Sequence, residues 1–191
     1  MPTTPPRAVL DACVLYPAPL RDLLMHLAVE ECYQPLWTAA IHDEWTRNVL
    51  ANRPDLTAAQ LGRTRDLMNA GAEGSLVVGY ESLVPNLSLP DPDDRHVLAA
   101  AITGGASVIV TFNLPDFPAA RLAPFGITAQ APDPFLCALF DDDPAAVCRA
   151  VARQRSFLRN PPRTAEQHLA TLEQSRLSRF VARLGPFAGE L

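Results

Sequence analysis

The stretch "SLPDPDDRHVLAAAITGGASVIVTFNLPDF", residues 88–117, decides the fold. Its first part predicts a helix, because Asp91 is a favoured capping residue and Pro92 suits the first helical position. Gly104 and Gly105 predict the end of that helix. The "SVIV" that follows is apolar and rich in β-branched residues, which is typical of a central strand in a parallel sheet.

Strands and helices alternate on both sides of this stretch. Strands are predicted in "RAVLDACVLYP", "SLVVGY" and "GITAQ", and amphipathic helices near residues 20–27, 38–53 and 57–72. Such alternation favours an α/β fold with a central, mainly parallel sheet and right-handed crossovers.

A helical extension follows the alternating part. From residue 132 onward the pattern predicts helices only, with Asp143 before Pro144 and Thr164 as capping residues. We therefore expect two parts: an α/β domain over residues 1–131 and a helical extension over residues 132–191, packed on that domain.

The composition is that of a soluble globular protein. The chain has 191 residues, of which 48% are hydrophobic and 19% charged. No apolar run reaches the roughly 18–20 residues of a membrane helix, and the first residues lack a signal-peptide pattern, so a cytoplasmic protein is expected. Four scattered cysteines without a CxxC pair predict free thiols in place of a zinc or redox motif.

The net charge of −5 is unevenly distributed. Residues 1–148 contain 8 arginines and 18 acidic residues, whereas residues 149–191 contain 8 arginines and 3 acidic residues. Arg155 and Arg159 are four residues apart on a predicted helix and are candidates for contacting nucleic-acid phosphates. Docking of the basic helices onto the acidic body is the alternative, and the sequence leaves both open.

Asp11 is the most anomalous residue of the first half, because it lies within the first predicted strand. A charge in a buried strand is costly unless it is paired, protonated or bound to a metal. In parallel sheets, sites form outside the carboxyl ends of the strands. Asp11 and "TFNLPDF" are both predicted there, and the helix that starts after Asp91 reaches this edge if its preceding loop crosses it.

The three aspartates within residues 91–94 have two explanations. Capping and the helix dipole are sufficient to account for acids at a helix start. The alternative is a metal site, which requires other carboxylates to converge on the cluster. We expect Asp91 to be the cap and Asp94 to lie in the first turn of the helix, and the residues alone leave open whether the cluster also binds a metal.

Clustered carboxylates indicate the kind of cation. Oxygen ligands suit Mg²⁺ or Mn²⁺, whereas the four histidines show no zinc-binding spacing. Such a cation can activate water and stabilise the negative charge that develops on a phosphoryl group. The pattern therefore favours metal-assisted hydrolysis at phosphorus.

Four stretches in this order resemble the PIN-domain ribonucleases, in particular the bacterial VapC-like toxins of type II toxin–antitoxin systems. The stretches are "VLDACVLYP", "IHDEWTRNVL", "DPDDRHVLAAA" and "VIVTFNLPDFP". The resemblance covers residues 7–131 and implies a PIN-like three-layer α/β/α fold. The helices that follow resemble the C-terminal extension of a VapC subgroup with longer chains.

The resemblance also implies an activity and its partners. It implies an endoribonuclease that depends on Mg²⁺ or Mn²⁺, acts on structured RNA such as tRNA or rRNA, and is inhibited by a cognate antitoxin. VapC-like proteins are often homodimers, so a homodimer is expected. Residue by residue, catalytic and metal-binding roles are implied for Asp11, Glu44, Asp94 and Asp116.

Four other residues are given roles around these acids. Asn113 lies where many PIN domains have an acid, so it ligates the metal through its amide oxygen, positions water, or leaves the site one carboxylate short. Thr111 and Asp91 are expected to position the metal ligands without binding the metal themselves. Arg47 follows Glu44 by three residues and either pairs with it or contacts an RNA phosphate.

Two other functions compete with the ribonuclease. A PIN-like RNA-binding or regulatory protein with weak or absent catalysis is favoured by Asn113 and by the acidic body. A phosphatase or nucleotide-binding enzyme is disfavoured, because the chain has no P-loop, no GxGxxG after the first strand and no DxD pair.

Overall fold

A four-stranded sheet lies at the centre of the protein. The computed structural model describes residues 5–191. The strands lie in the order β2-β1-β3-β4, and all neighbouring pairs are parallel. They are β1 (Arg7–Leu10), β2 (Gln34–Leu36), β3 (Val108–Val110) and β4 (Thr128–Gln130).

Helices cover this sheet and form the extension. The α-helices of the described residues are α1 (Ala12–Leu15), α2 (Ala18–Val29), α3 (Ala39–Asn52), α4 (Ala58–Gly71), α5 (Arg95–Gly104), α6 (Ala119–Leu122), α7 (Pro132–Asp142), α8 (Pro144–Phe157), α9 (Ala165–Gln174) and α10 (Ser178–Leu184). The parallel sheet between helical layers confirms the predicted three-layer α/β/α fold.

The two central strands are apolar because both of their faces are covered. Val9 is fully buried and pairs in register with Leu36 on one side and Ile109 on the other. Helix α5 contacts β1, β2 and β3. Burial on both faces explains why these strands lack the alternation of a half-exposed strand.

The strand ends place Asp11 differently from the prediction. Asp11 lies one residue beyond β1, at the N-cap of α1, with φ −66° and ψ 153°. The prediction that it lies inside the strand was wrong, because the chain turns into α1 directly. The parallel hydrogen bonding continues past the strands: Asp11 N donates to Val110 O at 3.1 Å, and Thr111 N donates to Gln130 O at 2.9 Å. Asp11 and Thr111 therefore lie side by side at the carboxyl edge of the sheet.

The helix of the opening stretch begins later than predicted. Asp91 is a cap, since its Oδ1 accepts a hydrogen bond from Asp93 N at 2.8 Å. However, Pro92–Asp94 forms a 3₁₀ turn, and the α-helix runs over Arg95–Gly104. Asp94 is thus the N-cap residue of α5 and makes no side-chain capping bond there. Its carboxylate therefore does not cap the helix and is available for other contacts.

The strand predicted in "SLVVGY" is not formed. A single bridge joins Trp37 to Leu76, with Trp37 N donating to Ser75 O at 2.9 Å and Val77 N donating to Trp37 O at 2.8 Å. Trp37 is followed directly by Thr38, the N-cap of α3, so pairing stops after one residue pair. The apolar composition predicted a strand, but its partner segment ends too soon to pair with it.

The extension begins as the caps predicted. Asp143 Oδ1 accepts from Ala146 N at 2.9 Å, and Thr164 forms a capping box with Gln167. Helix α8 packs against α2, and α10 packs against α7. All four cysteines are free, and within residues 5–191 no helix combines the length and the apolar character needed to cross a membrane.

Ion pairs and hydrogen bonds join the extension to the α/β domain. Arg149 Nε lies 2.9 Å from Glu30 Oε2, and Arg153 Nη1 lies 3.8 Å from Glu30 Oε1. The Gln154 side chain donates to Pro19 O at 2.9 Å. Part of the positive charge of the extension therefore docks on the body.

Asp133 holds the first and last helices of the extension together. Its carboxylate is 9% exposed and accepts hydrogen bonds from Phe180 N at 2.8 Å and Arg179 N at 3.1 Å. Asp133→Ala leaves both N–H groups at the start of α10 without this acceptor. We expect it to lower the free energy of unfolding by about 1.5–3 kcal/mol in urea titrations followed by circular dichroism.

Asp142→Ala is the matched control, because Asp142 is an exposed residue of α7. Its effect should stay within about 0.5 kcal/mol. Equal losses in the two variants would contradict the role given to Asp133.

Candidate functional site

Asp11 is a buried carboxylate held by two donors. It is 3% exposed. Its Oδ2 accepts a hydrogen bond from Thr111 Oγ1 at 2.6 Å and another from Cys13 Sγ at 3.1 Å. Thr111 is itself fully buried, so the hydroxyl has little freedom to move. Hydrogen bonds of this kind are what allow a carboxylate to remain away from water.

Cys13 supports Asp11 as a thiol. Burial, first of all, and the charge of Asp11 raise the pKa of Cys13 to about 12, so its S–H remains available as a donor at neutral pH. The sulfur also accepts a hydrogen bond from Phe112 N at 3.3 Å. Sequence reasoning missed this role. The only signal was the position of Cys13 two residues after Asp11.

Asp94 is half-buried and experiences the negative charge of four other acids. Burial raises its pKa, and the charges of Asp11, Asp91, Asp116 and Glu44 raise it further, to about 7. At neutral pH, a carboxyl group with this pKa is protonated in part of the molecules and ionised in the rest. Four other acids therefore act electrostatically on Asp94.

Glu44 reaches this region from α3. Its neighbour Trp45 is fully buried, which fixes the orientation of the helix. The Glu44 side chain is half-buried, and its Oε2 lies 3.8 Å from Nε2 of His96 on α5. His96 is therefore a direct neighbour of a predicted metal ligand.

Asn113 and Asp116 follow β3 at the same edge. Asn113 is exposed, and its backbone N donates to Thr111 Oγ1 at 2.9 Å. Its side-chain amide makes no hydrogen bond to the described residues. Asp116 is half-buried at the end of the 3₁₀ turn Leu114–Asp116, where its N donates to Asn113 O at 3.0 Å.

The acids interact through their charges without forming a closed coordination shell. Among residues 5–191, no three His, Cys, Asp or Glu side chains are close enough together to hold a cation as they stand. Coulombic effects extend over longer distances than metal–ligand bonds, so both observations are consistent. The donors are oxygens, and a hard cation would remove the repulsion that Asp94 experiences. The residues present therefore fit Mg²⁺ or Mn²⁺ in kind.

Of the three predicted RNA-binding arginines, Arg47 lies on α3, whereas Arg155 and Arg159 belong to the extension. Arg47 is exposed and forms no ion pair with Glu44 or any other described acid. Arg155 Nη1 donates to Arg163 O at 3.0 Å, and Arg159 Nε donates to Ser156 O at 3.4 Å. No hydrogen bond or ion pair in the described part of the chain joins these arginines to the acidic cluster.

Comparisons with known proteins agree with this architecture. A family model described as PIN domain matches residues 7–114, and one described as VapC50 C-terminal domain matches residues 132–186. The chain is 34% identical over 113 residues to a Mycobacterium tuberculosis protein named "Putative ribonuclease VapC50". This match spans 59% of the chain and 66% of the relative. No solved structure matches the chain.

The matched regions coincide with the parts of the structure described above. The PIN-domain match covers more than half of the chain and includes β1, β2 and β3. It also contains Asp11, Glu44 and Asp94. The second match covers helices α7 to α10. The chain belongs to the PIN-domain family and has a C-terminal region of the VapC50 type.

Proposed function

We propose that this protein is a metal-dependent endoribonuclease of the VapC-like kind, which hydrolyses phosphodiester bonds of RNA. The observation that carries the proposal is the position of Asp11, Asp94 and Asp116 around the carboxyl edge of a parallel sheet, where burial of Asp94 and the charges of Asp11, Asp91, Asp116 and Glu44 raise the pKa of Asp94. Such an edge is where α/β proteins place their sites. Membership of the PIN-domain family and the likeness to a protein named as a ribonuclease support RNA as the substrate.

Mg²⁺ or Mn²⁺ is the cofactor that fits these oxygen donors. Asp11, Glu44, Asp94 and Asp116 would hold it, with the Asn113 amide oxygen as a further donor. When bound, such a cation supplies Lewis acidity and positive charge at the phosphate under attack.

The remaining residues orient the acids. Thr111 and Cys13 both bond to Oδ2 of Asp11, and no described side chain donates to its Oδ1. Oδ1 is therefore the oxygen that Asp11 can offer to a cation. Asp91 holds the 3₁₀ turn that precedes α5 and so sets the position of Asp94.

Arginines are needed to bring a polyanion to an acidic site. Arg47 lies one helical turn after Glu44, is exposed and is not paired with it, which favours the phosphate contact over the ion pair. Arg155 and Arg159 remain proposed RNA contacts on the extension. Docking on the body is realised by Arg149 and Arg153 instead.

The family also suggests the biological setting. We infer a cytoplasmic toxin that acts on tRNA or rRNA, is held inactive by a cognate antitoxin protein, and forms a homodimer. We further propose residues 1–131 as the nuclease domain and residues 132–191 as the helical extension. The VapC50-type match of residues 132–186 supports this division.

A PIN-like RNA-binding protein with weak catalysis is the second candidate. It is favoured by the exposed Asn113 at an expected acidic position and by the absence of a closed three-ligand cluster in residues 5–191. It predicts RNA binding that survives removal of divalent cations.

Loss of a single acid separates the nuclease from this alternative. We expect the wild-type chain to cleave bacterial RNA with Mg²⁺ or Mn²⁺, and Asp94→Asn or Asp11→Asn to lower kcat/KM by about 100-fold or more. The control is Asp93→Asn, because Asp93 is exposed and contributes only its backbone N–H to Asp91. The nuclease is ruled out if cleavage persists with excess chelator, or if the three variants retain equal activity.

The charge repulsion at Asp94 should be visible in the stability of the metal-free protein. The pKa of Asp94 is raised from 3.8 to about 7 in the folded state, so between these pH values the folded chain keeps a proton that the unfolded chain has lost. The stabilisation from this proton is complete below about pH 4 and is lost as the pH rises through about 7.

Asp94→Asn removes this titration. In chelator, the melting temperature of the Asn variant relative to wild type should therefore rise between pH 4 and pH 7. Added Mg²⁺ should then stabilise wild type more than the variant at pH 7.5. Parallel pH profiles together with equal responses to Mg²⁺ would show that Asp94 lies outside a charged site. Asp93→Asn again serves as the control.

A further inference from the structure

The turn between α9 and α10 places one arginine of the extension against Phe112, in the loop that follows β3. The guanidinium carbon of Arg176 lies 4.9 Å from the centre of the Phe112 ring. Phe112 directly follows Thr111, whose hydroxyl bonds to Asp11, and its own backbone N–H bonds to Cys13. The guanidinium thus lies over the ring of Phe112, the residue next to the Thr111 that donates a hydrogen bond to Asp11.

This turn is well anchored on both sides. Arg176 N donates to Glu173 O at 3.0 Å, and the next residue, Leu177, is fully buried. The Asp133 carboxylate accepts hydrogen bonds from the backbone N–H groups of Arg179 and Phe180 in α10. Arg176 itself has φ +67°, a left-handed conformation that side chains other than glycine rarely adopt. The backbone of Arg176 is therefore held in place, and its side chain reaches Phe112 from there.

Unlike most arginines of the extension, Arg176 has a side chain without an ion pair or hydrogen bond to the described residues. Several of the others are engaged with acids or carbonyl and hydroxyl groups: Arg149 and Arg153 with Glu30, Arg183 with Asp141, Arg155 with Arg163, and Arg163 with Thr171. Arg176 is exposed, and in the described part of the chain it forms no ion pair and its side chain donates no hydrogen bond. Stacking on an aromatic ring uses the face of the guanidinium and leaves its N–H groups at the edge available.

A phosphate group is the ligand that suits the guanidinium of Arg176. The site presents five interacting carboxylates, which repel a nucleic-acid backbone, so a fixed positive group beside them favours binding of a phosphate. The planar fork of arginine matches two phosphate oxygens. We propose that Arg176 binds a backbone phosphate of the RNA next to the bond that the acidic site cleaves. This inference rests on the proposed ribonuclease function.

The test compares Arg176→Ala with Arg179→Ala. Arg179 is the matched control: it is exposed, lies three residues further along, and its side chain has no ion pair or hydrogen bond in residues 5–191. Arg176→Gly is a second variant, because glycine adopts a positive φ without strain and cannot unfold the turn for that reason. Thermal melts followed by circular dichroism verify that each variant is folded.

Cleavage of a single-stranded oligoribonucleotide with Mg²⁺ is the first measurement. We expect Arg176→Ala and Arg176→Gly to raise KM by about tenfold with kcat unchanged, as for a contact that binds substrate and transition state alike. The slope of log kcat/KM against log salt should fall in magnitude by about 0.7, the value for one phosphate on a single strand. Arg179→Ala should change neither quantity.

Binding of the same RNA, labelled with a fluorophore, is measured by anisotropy in the Asp94→Asn background. The Arg176 variants should lose about tenfold in affinity there as well. If wild type cleaves RNA but Arg176 and Arg179 variants behave alike, the phosphate contact is wrong and the nuclease stands. If wild type does not cleave but binding still depends on Arg176, the nuclease is wrong and the contact stands. If RNA is neither bound nor cleaved, both are wrong.

Discussion

The buried carboxylate of Asp11 constrains the rest of the site. A charge at 3% exposure costs several kcal/mol unless hydrogen bonds replace water, and here the Thr111 hydroxyl and the Cys13 thiol do so. The parallel pairing of β1 with β3 brings Thr111 beside Asp11. Asp94 lies near this carboxylate, and its own burial, together with the charges of Asp11 and the other acids, raises the pKa of Asp94 to about 7.

Local interactions made much of the fold predictable from the sequence. The caps at Asp91, Asp143 and Thr164 depend on contacts within three residues, and a short pattern is sufficient to identify them. Uniform apolarity likewise predicted the buried strand Val108–Val110. The strand expected in "SLVVGY" does not form, because its partner segment ends at Trp37, directly before the N-cap of α3, and local composition does not express where a distant partner ends.

The site was predictable in its residue types and less so in its contacts. The order of the acids along the chain indicated Asp94 and Glu44 through a family resemblance, and the structure places both among interacting charges. The thiol of Cys13, the position of His96 beside Glu44, and the stacking of Arg176 on Phe112 could not be foreseen. Cys13 and His96 have weak sequence signals, and the arginine lies in another part of the chain, so only the tertiary fold joins them.

Anomalous diffraction from a crystal of the full chain soaked in MnCl₂ tests the central claim most directly. We expect a manganese peak at the carboxyl edge of the sheet, with oxygens of Asp11 and Asp94 about 2.1 Å away and Glu44 or Asp116 completing the shell. Soaking must draw these side chains together, because they do not form a closed shell as they stand. A peak elsewhere on the protein, or no peak at this edge, would contradict the claim that this edge is a metal centre.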